Sequence, residues 1–412
     1  MNTPQTNLPL TRREFMRGAG GIGFMAFSGF APAFLARSAM AQNPAPEKDR
    51  SILVIIQLAG GNDGLNTVIP HADDNYYNLR PTLGLKKDLL NLNDQLSLHP
   101  SLGGLHRLFD QDQLSIVQNV GYPNPNRSHF RSTEIWETGT DGDTYNTSGW
   151  LGRFLDNTCS GAPAVEADPA AIHIGDITPQ SYLSDNPQLV FGMKSRGSLT
   201  RGRSPAEKAY EKLLGAEHGE GNPSYLQQTM MNTLITERRI EKMIAGYKPA
   251  VPYPQTALGR SLLRISSLIH ADAETRLYFA SQGGYDTHVN QVGNHARLLG
   301  QLSDAMAAFQ ADLAANRKDD QVLTMTFSEF GRRPGENASR GTDHGTAAPL
   351  FVMGKDVKGG VLGEAPNLNL QPKQDLSFST DFRSVYTTML DNWLDSDSSQ
   401  ILGERFDAVP FI

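Results

Sequence analysis

The sequence predicts an α/β fold in which a mainly parallel central sheet has helices on both of its faces. Five apolar runs have the length and composition of strands that are buried on both sides. Amphipathic helical patterns separate most of these runs, and such alternation of strands and helices is typical of parallel sheets. The predicted strands span residues 52–58, 114–120, 275–281, 321–327 and 348–353.

The helices of this fold are predicted from apolar residues that recur at helical spacing. A short pattern covers residues 99–109, and another surrounds Trp136. Residues 294–316 carry a long amphipathic pattern between two of the strands. A last helix follows Thr380 and Asp381, and either side chain suits the N-cap position.

The middle of the chain departs from this alternation. Residues 204–214 and 224–244 both have the pattern of amphipathic helices, and no strand pattern separates them. We therefore expect a largely helical insertion at about 180–255. No clear linker divides the rest of the chain, so we expect a single α/β domain over residues 51–412.

The first residues of the chain resemble an export signal. Arg12 and Arg13 are adjacent and precede an uncharged, glycine-rich stretch that ends in small residues. This pattern predicts a cleavable twin-arginine (Tat) signal over residues 1–41, followed by a polar linker over residues 42–50. The glycines argue against a stable membrane anchor. We expect the Tat translocase as a partner during export, and a periplasmic or secreted protein.

Composition excludes several classes of protein. The mean hydropathy of −0.39 does not fit a polytopic membrane protein. The formal net charge of −7 offers no basic surface for nucleic acid, which is not expected as a partner. The chain has one cysteine, Cys159, so an intramolecular disulfide cannot form.

Side chains that can bind metals lie next to three of the predicted strands. Asp63 follows the first strand, and Asp286 and His288 follow the third. Asp343 and His344 precede the fifth strand, and their loop can reach the same edge of the sheet. Each of these motifs is also compatible with an ordinary turn. Together, carboxylates and imidazoles predict a site for one or two divalent ions, with Zn²⁺ favoured.

Three further residues are candidates for catalysis. Ser128 lies at a predicted helix N-terminus, where it is either a nucleophile or a helix cap, and His129 follows it. Glu329 follows the fourth predicted strand and is a candidate ligand, general base or cap. Arg127 and Arg131 flank the serine and can bind an anion.

These motifs together resemble a known bacterial family. The stretches "LVIIQLAGGNDGLNTVIP", "NRSHFRSTEIWETG", "YDTHVNQ", "FSEFGRRP" and "GTDHG" are similar to the Tat-exported family called domain of unknown function 1501, over nearly the whole mature chain. That family is similar in fold to the alkaline phosphatase and sulfatase superfamily. The resemblance implies a nucleophile and a set of metal ligands: Ser128 as nucleophile, and Asp63, Asp286, His288, Asp343 and His344 as ligands.

The resemblance and the motifs lead to competing functions. The first is an exported metal-dependent hydrolase of phosphate or sulfate esters, acting on a small anionic ester or a polysaccharide. The second is a non-catalytic exported module of the same fold that binds polysaccharide or an assembly partner. The superfamily has a later C-terminal histidine, whereas His344 is the last histidine here, and this difference favours the second function. A redox protein is suggested by the export route alone, because the sequence has no haem motif or cysteine cluster.

Overall fold

The computed structural model describes residues 51–158, 168–184, 189–193, 236–371 and 373–412. The predicted export signal and linker lie outside the described residues, as do Cys159 and the predicted helix over residues 204–214. The described residues all belong to one compact unit, Arg50–Ile412.

Strands and helices alternate along most of the described chain. The strands are β1 Ile52–Ala59, β2 Val68–Ile69, β3 Leu90–Asn91, β4 Ser97–Leu98, β5 Leu114–Gly121, β6 Ala171–Ile174, β7 Val190–Met193, β8 Leu277–Gly283, β9 Val322–Phe327, β10 Arg332–Glu336, β11 Thr342–His344, β12 Ala348–Met353, β13 Gly360–Leu362 and β14 Thr380–Asp381. The α-helices are α1 Gly64–Thr67, α2 Asp74–Leu79, α3 Gly103–Asp110, α4 His129–Thr138, α5 Trp150–Thr158, α6 Ala257–His270, α7 Gln291–Ala315, α8 Phe382–Thr388 and α9 Ser398–Leu402. Residues 236–244 are also helical.

The central sheet is mainly parallel, as the sequence predicts. Its strands are ordered β13-β5-β12-β9-β1-β8-β6-β7, and β14 also pairs with β5. β12 is antiparallel to both of its neighbours, whereas the other described pairings of this sheet are parallel. All five predicted strands are present, and β1 is paired on both sides.

Helices cover both faces of this sheet, as the burial of alternate β1 side chains shows. Leu53 and Ile55 belong to the hydrophobic cluster that includes side chains of α4, α5 and α8. Val54 and Ile56 point the opposite way, into the cluster that includes side chains of α3, α6 and α7. All four side chains are at most 2% exposed, because successive strand residues face opposite sides of the sheet.

The predicted helix boundaries differ from the structure by a few residues. The helix predicted at 99–109 is α3, and the helix predicted at 294–316 is α7. Asp381, not Thr380, caps α8, because its carboxylate accepts the N–H of Arg383 at 2.9 Å.

The region predicted as a helical insertion also contains a strand. β7 lies within residues 180–255 and pairs with β6 at an end of the sheet. The helical residues 236–244 agree with the end of the helix predicted over residues 224–244. None of the helices in the described parts of the chain is long and apolar enough to cross a membrane.

The strand directions bring several loops to one edge of the sheet. The carboxyl ends of β1, β5, β8 and β9 meet there, and β12 begins there because it runs in the opposite direction. The chain before β12 forms a hairpin of β10 and β11. Asp343 and His344 therefore lie on a strand of that hairpin, and not in a loop as predicted.

Candidate metal centre

Asp286 lies at the centre of three histidines at this edge. Its Oδ1 atom is 3.0 Å from His288 Nε2 and 3.1 Å from His344 Nε2. Those two nitrogens are 3.0 Å apart, and His129 Nε2 lies 3.5 Å from Asp286 Oδ2. These four residues are called the Asp286 cluster below. The structure thus brings together three of the five predicted ligands and adds His129.

Each histidine of the Asp286 cluster holds its other ring nitrogen near an oxygen acceptor. Carbonyl and carboxylate oxygens only accept, so we infer that Nδ1 carries the proton and that Nε2 has a free lone pair. Metal-bound histidines commonly have this arrangement. The acceptors are Glu329 Oε1 for His129 at 2.9 Å, the main-chain oxygen of Arg127 for His344 at 2.9 Å, and Asp343 Oδ1 for His288 at 3.5 Å.

The geometry of the Asp286 cluster fits a small divalent cation. Two ligands bound tetrahedrally at zinc distances lie about 3.3 Å apart. The triangle of Asp286 Oδ1, His288 Nε2 and His344 Nε2 has sides of 3.0–3.1 Å, close to that value. Three lone pairs directed at one another repel unless a proton or a cation lies between them.

Ionisation of the cluster also suits metal binding. Burial would raise the pKa of Asp286, but the hydrogen bond and positive charge of Arg332 outweigh it and lower the pKa to about 2. Burial is the main reason why the pKa of His344 is below its usual value. At neutral pH the aspartate is therefore ionised and the His344 imidazole is neutral, the forms in which both residues bind metals.

Arg332 ties the loops around the cluster to one another. Its buried guanidinium donates to Asp286 Oδ1 at 2.6 Å and to the main-chain oxygens of Gly61, Tyr285 and Thr342 at 2.7–3.0 Å. It thus fixes the loops that follow β1 and β8 against the β10–β11 hairpin. Its charge also offsets part of the negative charge of the site.

Two glycines allow the loop after β1 to approach the site closely. Gly60 and Gly61 have φ values of +120° and +77°, which other residues rarely adopt. A Cβ atom at Gly60 would lie 2.5 Å from the Asp286 nitrogen, and one at Gly61 would lie 2.3 Å from the Phe330 ring. The Gly60 N–H donates to Glu329 Oε1 at 2.7 Å.

The structure places Glu329 behind His129. The residue is 2% exposed, and Oε1 accepts from both His129 and Gly60. Its Oε2 atom is buried without a hydrogen-bond partner among the described residues. Glu329 therefore contacts the imidazole of His129 from behind and does not itself join the histidines around Asp286.

Asp63 is not brought together with the other predicted ligands. Its carboxylate is buried, receives a hydrogen bond from Gln291, and lies 2.7 Å from Arg80 Nη1. Burial would raise the pKa of Asp63, but the charge and hydrogen bond of Arg80 lower it overall. Because its charge is already paired, we do not include Asp63 in the metal site. No local pattern in the sequence marks a partner 17 residues away.

Asp343 lies beside the cluster and does not contact Asp286. Its carboxylate faces His288 Nδ1 and accepts from Asn337 Nδ2 at 3.1 Å. The Asn337 hydrogen bond is the main cause of its lowered pKa. The adjacent Asp343 and His344 thus have different neighbours. His344 faces Asp286, whereas Asp343 faces the Nδ1 atom of His288.

Ser128 is the N-cap residue of α4, but its hydroxyl makes no capping hydrogen bond. The side chain is exposed, and the next residue, His129, enters the cluster. Arg131 does not join Arg127 as expected. It pairs with Glu134 at 2.9 Å, and its guanidinium lies 3.7 Å from the centre of the Tyr145 ring.

An open cleft of about 340 Å³ lies beside the Asp286 cluster. This arginine cleft is lined by Arg127, His288, Arg333, Asp343 and His344. Two guanidiniums next to two histidines make it suitable for an anion. Sequence reasoning missed Arg333, although it lies in the "FSEFGRRP" stretch that drew attention to Glu329.

A second cavity of about 340 Å³ lies behind Phe330. The Phe330 ring lines this cavity, and its centre is 4.9 Å from that of His129 and 4.6 Å from that of His344. Tyr122 and Phe378 also line the cavity. Phe330 thus lies next to two histidines of the cluster and also lines this cavity.

The chain is similar to one described protein family over most of its length. The model of a family described as "Protein of unknown function (DUF1501)" matches residues 50–394. The chain matches none of the curated proteins.

Three solved structures illustrate the similarity in three dimensions. Ps i-CgsB in complex with k-i-k-neocarrahexaose has 12% identity and a TM-score of 0.39, over 87% of this chain and 73% of that one. A protein in the alkaline phosphatase superfamily from Vibrio parahaemolyticus has 11% identity and a TM-score of 0.34, over 76% and 62%. The C-terminal periplasmic domain of EcEptC from Escherichia coli, in complex with Zn, has 10% identity and a TM-score of 0.33, over 74% and 73%.

Proposed function

We propose that this chain, which belongs to the DUF1501 family, is a metal-dependent hydrolase of phosphate or sulfate esters. The observation that carries the proposal is the convergence of three imidazole Nε2 atoms on the Asp286 carboxylate, at 3.0, 3.1 and 3.5 Å. Each opposite nitrogen faces an oxygen acceptor. Such an arrangement is expected around a cation and has no evident use in packing alone.

Asp286, His288 and His344 would hold one divalent ion, and two imidazoles among three ligands favour Zn²⁺ over Mg²⁺ or Ca²⁺. When bound, such an ion stabilises the negative charge of the transferring phosphoryl or sulfuryl group. Asp343 would keep the His288 ring in the orientation that directs Nε2 inward. The main-chain oxygen of Arg127 would do the same for His344.

His129 would act on protons. It faces the other oxygen of Asp286, and Glu329 holds the proton on its Nδ1 atom. Its Nε2 lone pair can then accept a proton from the attacking group, as in other carboxylate–histidine pairs. Ser128 remains the candidate nucleophile, because it lies between His129 and the cleft residue Arg127 at the start of α4.

The arginine cleft would bind the anionic part of the ester. Arg127 and Arg333 present guanidinium groups, whose planar N–H donors match the oxygens of phosphate or sulfate. The organic part of the ester has room in the cavity behind Phe330. A volume of about 340 Å³ is within the range of small-molecule sites.

A second candidate function is a non-catalytic module of the same fold. Arg332 favours it, because its guanidinium already binds Asp286 Oδ1 at 2.6 Å. A cluster of ion pairs and hydrogen bonds without any metal could be stable for that reason. Such a module would bind polysaccharide or an assembly partner, and it would hydrolyse no ester.

Export is part of the same proposal. The twin arginines Arg12 and Arg13 and the small residues before Gln42 support a Tat signal and a periplasmic or secreted protein. Replacing both arginines with lysine and fractionating the cells tests this part. Loss of the exported protein is expected, and undiminished export would contradict a Tat route.

Hydrolysis assays test the proposed activity directly. Aryl phosphate and aryl sulfate would be incubated with the purified protein, with the chelated protein, and with the chelated protein after Zn²⁺ addition. We expect hydrolysis of at least one ester, its loss on chelation and its recovery with Zn²⁺. A metal-loaded, folded protein that hydrolyses neither ester would favour the non-catalytic module.

A further inference from the structure

We infer that Asp375 is an internal competitor for the anion site in the arginine cleft. It pairs with Arg127 and Arg333 when no ester is present, and the anionic group of the ester displaces it. This inference rests on the proposed function, because it concerns the residues that would bind the ester. It adds a residue that limits the affinity of the site for anions.

Asp375 lies between the two arginines of the cleft. Its Oδ2 atom is 3.1 Å from Arg127 Nη1, and its Oδ1 atom is 3.4 Å from Arg333 Nε. The Asp375 side chain is 24% exposed, and those of Arg127 and Arg333 are 43% and 25% exposed. A single carboxylate thus faces two cations that solvent and small ligands can reach.

The contact with Arg333 leaves hydrogen-bonding capacity unused. Arg333 Nε and Asp375 Oδ1 are buried atoms, and neither has a hydrogen-bond partner in the described part of the chain. Charge-assisted hydrogen bonds are usually about 2.7–2.9 Å long. The buried pair of Arg80 and Asp63 reaches 2.7 Å. By comparison, the 3.4 Å contact is loose, and an oxygen of a tetrahedral anion would satisfy Arg333 better.

The main chain of both arginines is held by contacts that do not involve Asp375. The carbonyl oxygen of Arg127 accepts from His344 Nδ1 at 2.9 Å. The carbonyl oxygen of Arg333 accepts from Arg80 Nη2 at 3.1 Å. The two guanidiniums can therefore stay near the cleft when Asp375 leaves them. Displacement of Asp375 breaks its two ion pairs but leaves the main-chain contacts of both arginines in place.

An internal carboxylate of this kind weakens the binding of every anion that uses both arginines. Substrate and product anions pay the same penalty, because each must replace the same contacts. The penalty matters most for the product, since inorganic phosphate or sulfate has no organic part to hold it. Asp375 would thus favour product release, a step that limits the turnover of many enzymes.

The test measures the affinity of inorganic phosphate for the metal-loaded protein by calorimetry. Asp375→Asn keeps the size of the side chain and removes its charge. We expect its Kd for phosphate to fall about tenfold, which is about 1.4 kcal/mol. Asp272→Asn is the matched control, because Asp272 also pairs with a cation, Lys318, at the opposite edge of the sheet. Asparagine tolerates its positive φ, and the Kd should not change.

An unchanged or higher Kd in Asp375→Asn would overturn the inference, because it would make Asp375 a residue that positions the arginines. Asp375→Ser provides the same comparison with a smaller side chain, and circular dichroism reports whether each variant is folded. If the wild-type protein binds no phosphate and hydrolyses no ester, the proposed function fails together with the inference. If it does both while Asp375→Asn binds no more tightly, only the inference fails.

Discussion

His129 Nδ1 lies 2.9 Å from the buried carboxylate of Glu329. This contact leaves the Nε2 atom of His129 facing Asp286 Oδ2 at 3.5 Å. Burying a carboxylate costs free energy. Its use to orient a histidine toward a second carboxylate therefore points to a chemical task for that histidine. The proposed task is the transfer of a proton during ester hydrolysis.

Glu329→Gln tests this task. The uncharged amide can still accept from His129 Nδ1 and from the Gly60 N–H, but it stabilises the imidazolium that forms on proton uptake less than a carboxylate does. We expect kcat for an aryl phosphate to fall about 10²–10⁴-fold, the usual contribution of acid–base catalysis. Zinc content should stay the same. Loss of zinc together with activity would contradict the separation of roles, since it would make His129 a ligand.

Asp343→Asn tests whether Asp343 supports a ligand or is one itself. Residues that orient a ligand typically change metal affinity about 10–100-fold. We therefore expect the Kd for Zn²⁺ to rise within that range, as measured by competition with a coloured chelator. Asp272→Asn removes a similar charge at the other edge of the sheet and should have no effect. Complete loss of zinc binding in Asp343→Asn would mean that Asp343 itself coordinates the ion.

The strands and the edge of the site could be predicted from the sequence for a physical reason. A strand that is buried on both faces must be apolar throughout, and the run from Ile52 shows this directly. The carboxyl ends of parallel strands share one edge, so Asp286 and His288 were expected near His344. These expectations need only the direction of each strand.

Partners that depend on the paths of the loops could not be predicted in this way. Asp63 follows a strand as expected, yet its partner Arg80 comes from the end of α2 and neutralises it. Arg333 reaches the cleft because β10 and β11 form a hairpin, which no apolar alternation announces. Strand patterns predict the edge of the sheet at which a residue lies. The charged group that its side chain contacts depends on tertiary packing.

Acid should destabilise the fold through two buried histidines that lie outside the Asp286 cluster. Burial lowers the pKa of both His99 and His295 to about 4. A base whose pKa is lower in the folded state than in the unfolded state takes up protons preferentially on unfolding, so stability falls as the pH drops from about 6.5 toward 4. Each histidine should lower the free energy of unfolding by about 2 kcal/mol at pH 5 relative to pH 7.

Urea unfolding at pH 7 and pH 5 measures this effect. His295→Gln removes one of the two titrating groups and can still hydrogen-bond to Asn62, the present partner of His295. We expect the loss of unfolding free energy between the two pH values to be about 2 kcal/mol smaller in this variant. An equal loss in His295→Gln and the wild type would refute the assignment to His295.

The metal content of the purified protein tests the central claim most directly. Elemental analysis would compare the wild type with His344→Ala, Asp286→Asn, His129→Ala and the control His106→Ala, all prepared without added metal. We predict about one zinc ion per chain in the wild type, His129→Ala and His106→Ala, and little or none in His344→Ala and Asp286→Asn. Chelation should lower the Tm of the three zinc-containing proteins and leave that of the other two unchanged. A wild-type protein that carries no metal and whose Tm ignores both chelator and added Zn²⁺ would contradict the metal site.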